Sequence, residues 1–409
     1  MSSVTKSEQV SAEGVEQSSH PDVTILMPCL NERVTLPQCI DWAVEACGRL
    51  ADLGYASEIL ISDNGSDDGS QDYARSRGCR VVQAPQRGYG AALIHGIEAA
   101  AGRFIVMGDS DASYDFREGV PMVVKLAEGY DLCMGNRFAG RIMPGAMPPL
   151  NRYLGNPALS GVLNLFFRSG MGDAHSGLRA FRKEAAESLQ LNSPGMEFAS
   201  ELVVKAALKQ LKMTEQPITL HPDGRDRKPH LRPWRDGWRH LRFLLALSPM
   251  WLFIIPSLIL LGLAVLIGVT LLLTPGNQVA SWGGFWIGDH WLILAAGMFQ
   301  LGLAGLTLGT IARVWATKRG FVGRSRRLDR WVTSIRNDWA VLVGAVMAAI
   351  GLLVLAGVAF DFFRGGFGPA GRIRESVVGT SLLVGGVQLI FASFVVSLID
   401  DELPPRRGG

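Results

Sequence analysis

An α/β domain with a mostly parallel sheet flanked by helices, then an interfacial helix and four transmembrane helices, is the architecture this 409-residue sequence predicts. Three observations predict it. Short apolar runs alternate with helical patterns from Val23 to about Gly135, as they do when strands are joined by crossover helices. Acidic and polar clusters close three of those runs, at the strand ends where open parallel sheets bind ligands. Four long uncharged stretches follow residue 248.

The strands are expected at Val23–Met27, Glu58–Ser62, Arg80–Gln83, Phe104–Gly108 and Asp131–Gly135, each a short apolar run bounded by turn residues. Helices are expected at Leu36–Leu53, Ser70–Arg77, Tyr89–Ala100 and Arg117–Glu128. Pro37 suits a first helical turn, and Gly54 suits a helix end. The first twenty residues are polar and rich in Ser, Glu and Gln. They lack the apolar core of a signal peptide and read as a disordered tail. The five cysteines, Cys29, Cys39, Cys47, Cys79 and Cys133, contain no C-x-x-C pair. Zinc and structural disulfides are therefore not expected, and reduced, partly buried thiols are.

Pro249–Leu273, Trp291–Ala312, Trp339–Phe360 and Ser376–Ile399 carry no charge. Each reaches the ~20 residues that cross a ~30 Å hydrocarbon core. The link between the second and third holds Lys318, Arg319, Arg324, Arg326, Arg327, Arg330 and Arg336, whereas Thr274–His290 has no Lys or Arg. By the positive-inside rule the basic link is cytoplasmic. Four spans then put the N-terminal domain and both termini in the cytoplasm of a multi-pass inner-membrane protein. Arg406 and Arg407 agree with that, and Arg364, Arg372 and Arg374 in the outer link dissent. Pro233–Phe243 places Trp234 and Trp238 among basic residues at helical spacing, which fits a helix lying in the headgroup layer. The expected organisation is a tail at 1–20, a catalytic domain at 21–230, a juxtamembrane helix at 231–248, a membrane domain at 249–400 and a tail at 401–409.

Asp109-Ser110-Asp111 closes the run Phe104–Gly108. Two carboxylates one residue apart at a strand end are hard oxygen ligands for Mg²⁺ or Mn²⁺, which usually brings a diphosphate. Asn31-Glu32 follows the first strand, and Asp63 to Ser70 follows the second. Three acidic turns on one sheet edge repel each other unless a cation or donors lie among them. Ser66, Asp67 and Gly69 are also ordinary turn residues. A metal–diphosphate site on a membrane-anchored chain points to an enzyme joining a soluble activated donor to a lipid acceptor.

The series Pro28-Cys29-Leu30-Asn31-Glu32, Asp63-x-x-Ser66-x-Asp68-Gly69-Ser70 and Asp109-x-Asp111 resembles the family 2 glycosyltransferases. More narrowly it resembles the polyprenyl-phosphate glycosyltransferases, the group that includes dolichyl-phosphate mannose synthase. Gly135-Asn136-Arg137-Phe138, Asp173-Ala174-His175-Ser176-Gly177-Leu178-Arg179 and Gly195–Phe198 with Glu201 and Lys205 extend the match over roughly 23–248. The resemblance implies a GT-A-type fold, a nucleotide-sugar donor (UDP or GDP), Mg²⁺ or Mn²⁺, and polyprenyl phosphate (undecaprenyl or dolichyl) as acceptor. It implies inverting transfer at the membrane, for cell-envelope glycan synthesis. Pro28, Asn31, Glu32, Asp63 and Asp109 take the donor, with Asp63 on the base and Glu32 on the ribose. Asp111 holds the metal with Asp109. The family's glutamine two residues on is Ser113 here, so the third contact falls to Ser113, Asp115 or water. Arg137, Arg152 and Ser176 take the acceptor phosphate. Arg225 and Arg227 lie in a basic loop near the diphosphate, where the family's lysine is His230.

Other readings stay open for several of these residues. Arg137 and Arg152 are also compatible with surface ion pairs. Asp173 and His175 fit a catalytic corner or a hydrogen-bonded turn. Glu201 fits an acceptor site or an i,i+4 pair with Lys205. A processive polysaccharide synthase needs an acidic base triplet that does not follow Asp111, and Arg327–Trp331 has Arg where such enzymes have Gln. A non-catalytic nucleotide-sugar sensor is the other alternative. Nothing points to nucleic acid, and the oligomeric state is open.

Overall fold

The computed structural model describes residues 20–224, 233–274, 280–282, 285–318, 338–365, 367 and 372–401. It divides into two compact units, 1–164 with 169–236, and 165–168 with 237–409.

The first unit is built on a seven-stranded sheet. Its strands are β1 (Val23–Cys29), β2 (Ser57–Asp63), β3 (Arg80–Gln83), β4 (Phe104–Met107), β5 (Leu132–Ile142), β6 (Arg179–Arg182) and β7 (Met213–Leu220). They lie in the order β3-β2-β1-β4-β6-β5-β7. β1 pairs parallel with β2 and with β4, and β3 pairs parallel with β2. β6 runs antiparallel to β4 and β5, and β7 pairs parallel with β5. The expected strands are present within two residues at their ends, except that β5 runs on to Ile142. β6 and β7 lie beyond the stretch in which strands were expected. β7 carries Pro217, which lacks a ladder donor and is tolerated on an edge.

Three expected helices appear as α1 (Leu36–Asp52), α2 (Ser70–Ser76) and α3 (Tyr89–Ala99), with Pro37 in the first turn of α1 and Gly54 at φ +82° just past its end. The fourth is divided. A 3₁₀ turn at Phe116–Gly119 precedes α4 (Val120–Ala127). Pro121 explains the division, because it has no N–H for a preceding carbonyl and is at home in a first turn. α5 (Asn156–Phe167), α6 (Lys183–Ser188) and α7 (Phe198–Leu208) complete the unit.

Leu36, Cys39, Ile40, Ala43, Ala46 and Leu50 recur at three- and four-residue steps along α1, so one stripe faces the sheet. They pack with Val23, Ile25 and Met27 of β1 and with Phe104, Val106, Phe116, Met122 and Leu126. The five cysteines are free, and all but Cys47 are buried.

α8 (Pro233–Ala246), which enters the second unit at Gly237, precedes the membrane helices, with Trp238 exposed and Leu244 buried. Four helices are long and apolar enough to cross a membrane: Met250–Leu273, Asp289–Thr317, Trp339–Arg364 and Ile373–Ile399. A short hairpin, β8 (Ala280–Trp282) and β9 (Phe285–Ile287), lies between the first and second. Glycines set their closeness. Gly302, Gly305 and Gly309 of the second span face Leu261, Ser257 and Ile254 of the first, and Gly344 and Gly351 of the third meet Gly386 and Gly379 of the fourth. Small residues let membrane helices approach backbone to backbone. Gly305 and Gly309 are thus used inside the chain. Arg374, dissenting in the charge pattern, has a local partner set. Its Nε donates to Asp289 at 2.7 Å, and its Nη1 donates to the carbonyls of Leu271 and Thr274 at 3.1 Å each. It thus ties the fourth span to the ends of the first and second.

Candidate active site

The strand order reverses at β1, with β2 on one side and β4 on the other, and both pair with it in parallel. Their carboxyl ends therefore share one edge, and a crevice opens where the order reverses. Cys29 stands opposite Asp63 in the register. The Asn31-Glu32, Asp63–Ser70 and Asp109–Ser113 clusters are brought together there, as expected.

The turns are tied side chain to backbone. Asn31, at φ +58°, donates its N–H to Ser66 Oγ at 2.9 Å and accepts from Asp67 N–H at 2.9 Å. Glu32 N–H donates to Ser70 Oγ at 3.2 Å, and Arg33 N–H to Asp68 at 2.9 Å. Ser66, Asp67, Asp68 and Ser70 therefore shape the rim. The other seam is closed by Ser110 Oγ donating to the Pro28 carbonyl and Thr35 Oγ1 to the Ser110 carbonyl, each at 2.7 Å. Thr35 Oγ1 also donates to Glu32 Oε2 at 3.2 Å. β7 fixes the far side, since His221 N–H and Gly224 N–H donate to the carbonyls of Ser113 and Asp111 at 2.9 and 3.0 Å.

Asp63 is wholly buried. Its Oδ2 accepts from Gly65 N–H, Ser66 N–H and Gln71 Nε2 at 2.9, 3.0 and 2.8 Å. Its Oδ1 is buried with no hydrogen-bond partner among the described residues. An unmet buried acceptor costs ~1–3 kcal/mol, and a ligand N–H removes that cost.

Asp109 Oδ1 accepts from the Tyr89 hydroxyl at 2.8 Å. Asp111 accepts from Ser113 N–H at 3.0 Å and from Ser113 Oγ in a short contact. Ser113 therefore stands beside Asp111, whereas Asp115 is taken by Arg117 through bonds of 2.9 and 2.6 Å. Among the described residues no group of three or more His, Cys, Asp or Glu forms a metal cage. The donor set still fits Mg²⁺ or Mn²⁺. Mg²⁺ is usually held by one or two carboxylates, water and substrate phosphates rather than by an all-protein cage. Cys39 lies beneath this loop and accepts from Ala112 N–H at 3.3 Å. Burial, with Asp111, Glu32 and Asp109 nearby, pushes its thiol up to about 12.

Arg137 is 7% exposed and Asp173 is 0% exposed. Asp173 accepts from Arg137 Nε, Nη2 and backbone N–H at 2.6, 2.8 and 3.1 Å. Arg137 Nη1 donates to the Tyr114 hydroxyl at 3.3 Å, and Gly177 N–H donates to the same oxygen at 2.9 Å. Gly177 also packs on Asp109: a Cβ there would meet its Oδ2 and would lie 2.6 Å from the Tyr114 ring. Arg137 is thus joined to the acidic rim through Tyr114 and Gly177, as half of a buried pair. Burial opposes its charge, and the Tyr114 oxygen and the Asp173 carboxylate outweigh that, holding the guanidinium above its ordinary range. His175 contacts Ser200 Oγ through Nε2 at 3.2 Å. Ser176 is wholly buried, and its Oγ has no partner among the described residues. Arg152 stands apart from this network: its guanidinium lies 5.6 Å from the Tyr153 ring centroid. Glu201 pairs with Lys205 at 2.6 Å and accepts from Ser193 N–H at 2.8 Å, which is the i,i+4 arrangement. Arg225, Arg227 and His230 lie outside the described residues.

Tyr89, Tyr114 and Glu215 carried no expectation as site residues, and Arg179, the last residue of the motif that opens at Asp173, carried no role. Tyr89 opens α3 on the ligand edge, and burial, then Asp109, pushes its hydroxyl well above its ordinary value, so it stays a donor. Its signal was its place after the third strand. Tyr114 is the junction just described. Glu215 of β7 accepts from Gly172 and Asp173 N–H at 2.8 and 3.0 Å. Arg179, 1% exposed, donates to the carbonyls of Ser176 and Ala199 at 2.7 and 2.9 Å. No local pattern marks Tyr114 or Glu215.

Residues 24–190 match the model of glycosyl transferase family 2, and residues 310–400 match the family 2 C-terminal transmembrane region. The chain is 36% identical over 384 residues to the low-salt glycan biosynthesis hexosyltransferase Agl6 of Haloferax volcanii, covering 93% of this chain and 90% of that one. It is 34% identical over 221 residues to the glycosyltransferase AglJ of the same organism, covering 53% of this chain and 69% of that one. Among solved structures, glucosyl-3-phosphoglycerate synthase from Mycobacterium tuberculosis, in complex with Mn²⁺, UDP and glucosyl-3-phosphoglycerate, aligns with TM-score 0.41 and 20% identity. That alignment covers 55% of this chain and 78% of that one. With a GT-A-type sheet, an acidic rim at its switch point, four membrane helices and a relative aligned along nearly its whole length, this chain belongs to glycosyltransferase family 2 and is a multi-pass membrane enzyme of that family.

Proposed function

We propose that the enzyme transfers one sugar from a UDP- or GDP-sugar to polyprenyl phosphate, undecaprenyl or dolichyl, at the cytoplasmic face of the cell membrane. The product is a lipid-linked sugar for glycan assembly. The carrying observation is the buried, unmatched Asp63 Oδ1 on the same sheet edge as Asp109 and Asp111. A carboxylate oxygen held ready for an N–H donor suits the imide of uracil or guanine. The carboxylate pair beside it suits the diphosphate that follows. The four spans supply the lipid side of the reading, and Agl6, named for hexosyl transfer in glycan biosynthesis, supports it.

In this reading Pro28 and Asn31 shape the donor cleft, Asp63 orients the base, and Glu32 takes the ribose hydroxyls. Asp109 and Asp111, with Ser113 beside them, hold a divalent ion, whose chemistry is to neutralise the charge gathering on the leaving diphosphate. A lipid phosphate is already anionic near neutral pH, so transfer needs no strong general base. A phosphate oxygen forms the new bond to the anomeric carbon as the bond to the nucleoside diphosphate breaks. The leaving group keeps the electron pair, and the configuration inverts. The enzyme must hold two anions together, which needs cations. Arg152 and the Ser176 hydroxyl face that task on the acceptor side, with Arg225 and Arg227 at the diphosphate. Arg137, committed to Asp173 and Tyr114, holds the 173–177 turn against Asp109.

The test is transfer by the full-length protein in vesicles. A panel of UDP- and GDP-sugars is offered with undecaprenyl or dolichyl phosphate and Mg²⁺ or Mn²⁺, and products are read by mass. Asp111→Ala is expected to lose at least ~10²-fold in turnover, the scale of removing one preorganised electrostatic contact, and chelation to abolish it. Absence of a lipid-linked sugar with every donor overturns the proposal.

A further inference from the structure

The membrane unit contains two adjoining apolar cavities. One, of about 290 Å³, is lined by Leu303 and Thr310 of the second span, Trp339 and Val343 of the third, and Leu389 and Ala392 of the fourth. The other, of about 370 Å³, lies between the second and fourth spans, with Ile311, Gln388 and Phe391 in its wall. Thr307 and Ala392 line both. Volumes near 300 Å³ begin the range of ligand pockets. From Leu303 to Thr310 the first cavity follows the second span for ~10 Å, at 1.5 Å per residue.

The cavity has a chemically distinct end. Trp339 opens the third span, and Thr310 stands near the close of the second, so this end lies toward the link that holds Lys318 to Arg336. One turn beyond Thr310, on the same side of that helix, is Arg313, which lies within the span and is only 6% exposed. A charge within a span is expensive and marks a functional site. An apolar groove that reaches a tryptophan, with a buried arginine one helical turn beyond its threonine end, complements one kind of molecule, a long hydrocarbon bearing a phosphate at headgroup depth.

We infer that these joined cavities hold the isoprenoid tail of the lipid-phosphate acceptor, with Arg313 marking the phosphate end; the assignment rests on the function proposed above. The bundle then does more than anchor the enzyme, because it binds the acceptor's tail as part of substrate recognition. This gives the four spans a use that a single anchoring helix would not have.

The experiment uses the full-length enzyme in phosphatidylcholine vesicles with undecaprenyl phosphate as the long acceptor and citronellyl phosphate, two isoprene units, as the short one. Ala392→Phe fills the shared wall, and Arg313→Gln removes the charge. Both are expected to raise KM for undecaprenyl phosphate about tenfold, the effect of crowding or unpairing worth ~1.4 kcal/mol. KM for the nucleotide sugar stays at the wild-type value in both variants. Turnover of citronellyl phosphate stays at the wild-type value in Ala392→Phe, whereas Arg313→Gln weakens binding of the short acceptor as well, because both acceptors carry the phosphate. Equal KM values for the long acceptor in wild type and both variants overturn the assignment while leaving the transfer reaction standing. A diazirine-tagged undecaprenyl phosphate, added without donor to the wild-type protein, supplies a readout independent of variant folding and of turnover. Labelling of 303–311 and 387–396, competed by unlabelled undecaprenyl phosphate and not by phosphatidylglycerol, supports the groove. Labelling competed equally by phosphatidylglycerol shows an ordinary bilayer lipid there and overturns it. Absence of transfer to every lipid phosphate refutes the proposed reaction instead.

Discussion

Replacing Asp173 with alanine strips the counter-charge from a guanidinium that is 7% exposed and loses three hydrogen bonds of 2.6, 2.8 and 3.1 Å. Breaking one side of a buried ion pair costs ~3–5 kcal/mol, because the remaining charge is left desolvated. In a domain of this size each kcal/mol lowers Tm by ~2–4 °C, so the expected drop is ~6–20 °C. The cysteines supply a domain-specific assay. All five lie between residues 29 and 133, and four are buried. A thiol-reactive dye added during a thermal ramp therefore reports unfolding of the first unit and not of the membrane helices. The double variant Arg137→Met, Asp173→Ala removes both charges and is expected to recover more than half of the loss, the non-additivity of a contacting pair. A single variant melting within ~2 °C of wild type, or a double variant no better than Asp173→Ala, refutes the claim that this pair is desolvated and mutually dependent.

Gly177→Ala places a methyl against Asp109 Oδ2 and 2.6 Å from the Tyr114 ring; turnover should fall at least ~10²-fold with the dye-detected Tm little changed, and retained turnover shows that the turn gives way. Burial pushes Cys29 up to about 11 and Cys39 up to about 12, so neither is expected to react with iodoacetamide at pH 8 until the domain unfolds; mass mapping of alkylated peptides checks this. Burial raises the Glu58 carboxyl, and the bonds from Arg80, Ala101 N–H and Thr24 outweigh it, leaving a net value below the ordinary 4.5. Its contribution to stability is therefore present above pH 4.5 and lost as pH falls through the lower folded value. Glu58→Gln should flatten the acid side of a Tm-against-pH curve, and an unchanged curve refutes the assignment.

What neighbouring residues encode was legible in the sequence. Apolar periodicity gave the α1 stripe and the strands β1 to β4, strand-end chemistry gave Asp63, Asp109 and Asp111, and length without charge gave the four spans. The split of the fourth helix was also written locally, in Pro121. Tertiary structure decided whatever depends on a distant partner. Arg137 finds Asp173 36 residues away, and Tyr89 finds Asp109 20 residues away. Ser66 to Ser70 became ties between two turns, and Arg179 became a buried cation on carbonyls. The reason is physical. Periodicity and turn chemistry act over a few residues and survive in the unfolded chain. The fate of a charge depends on its desolvation and on which groups the sheet order brings within 3 Å, and neither exists until the chain has folded.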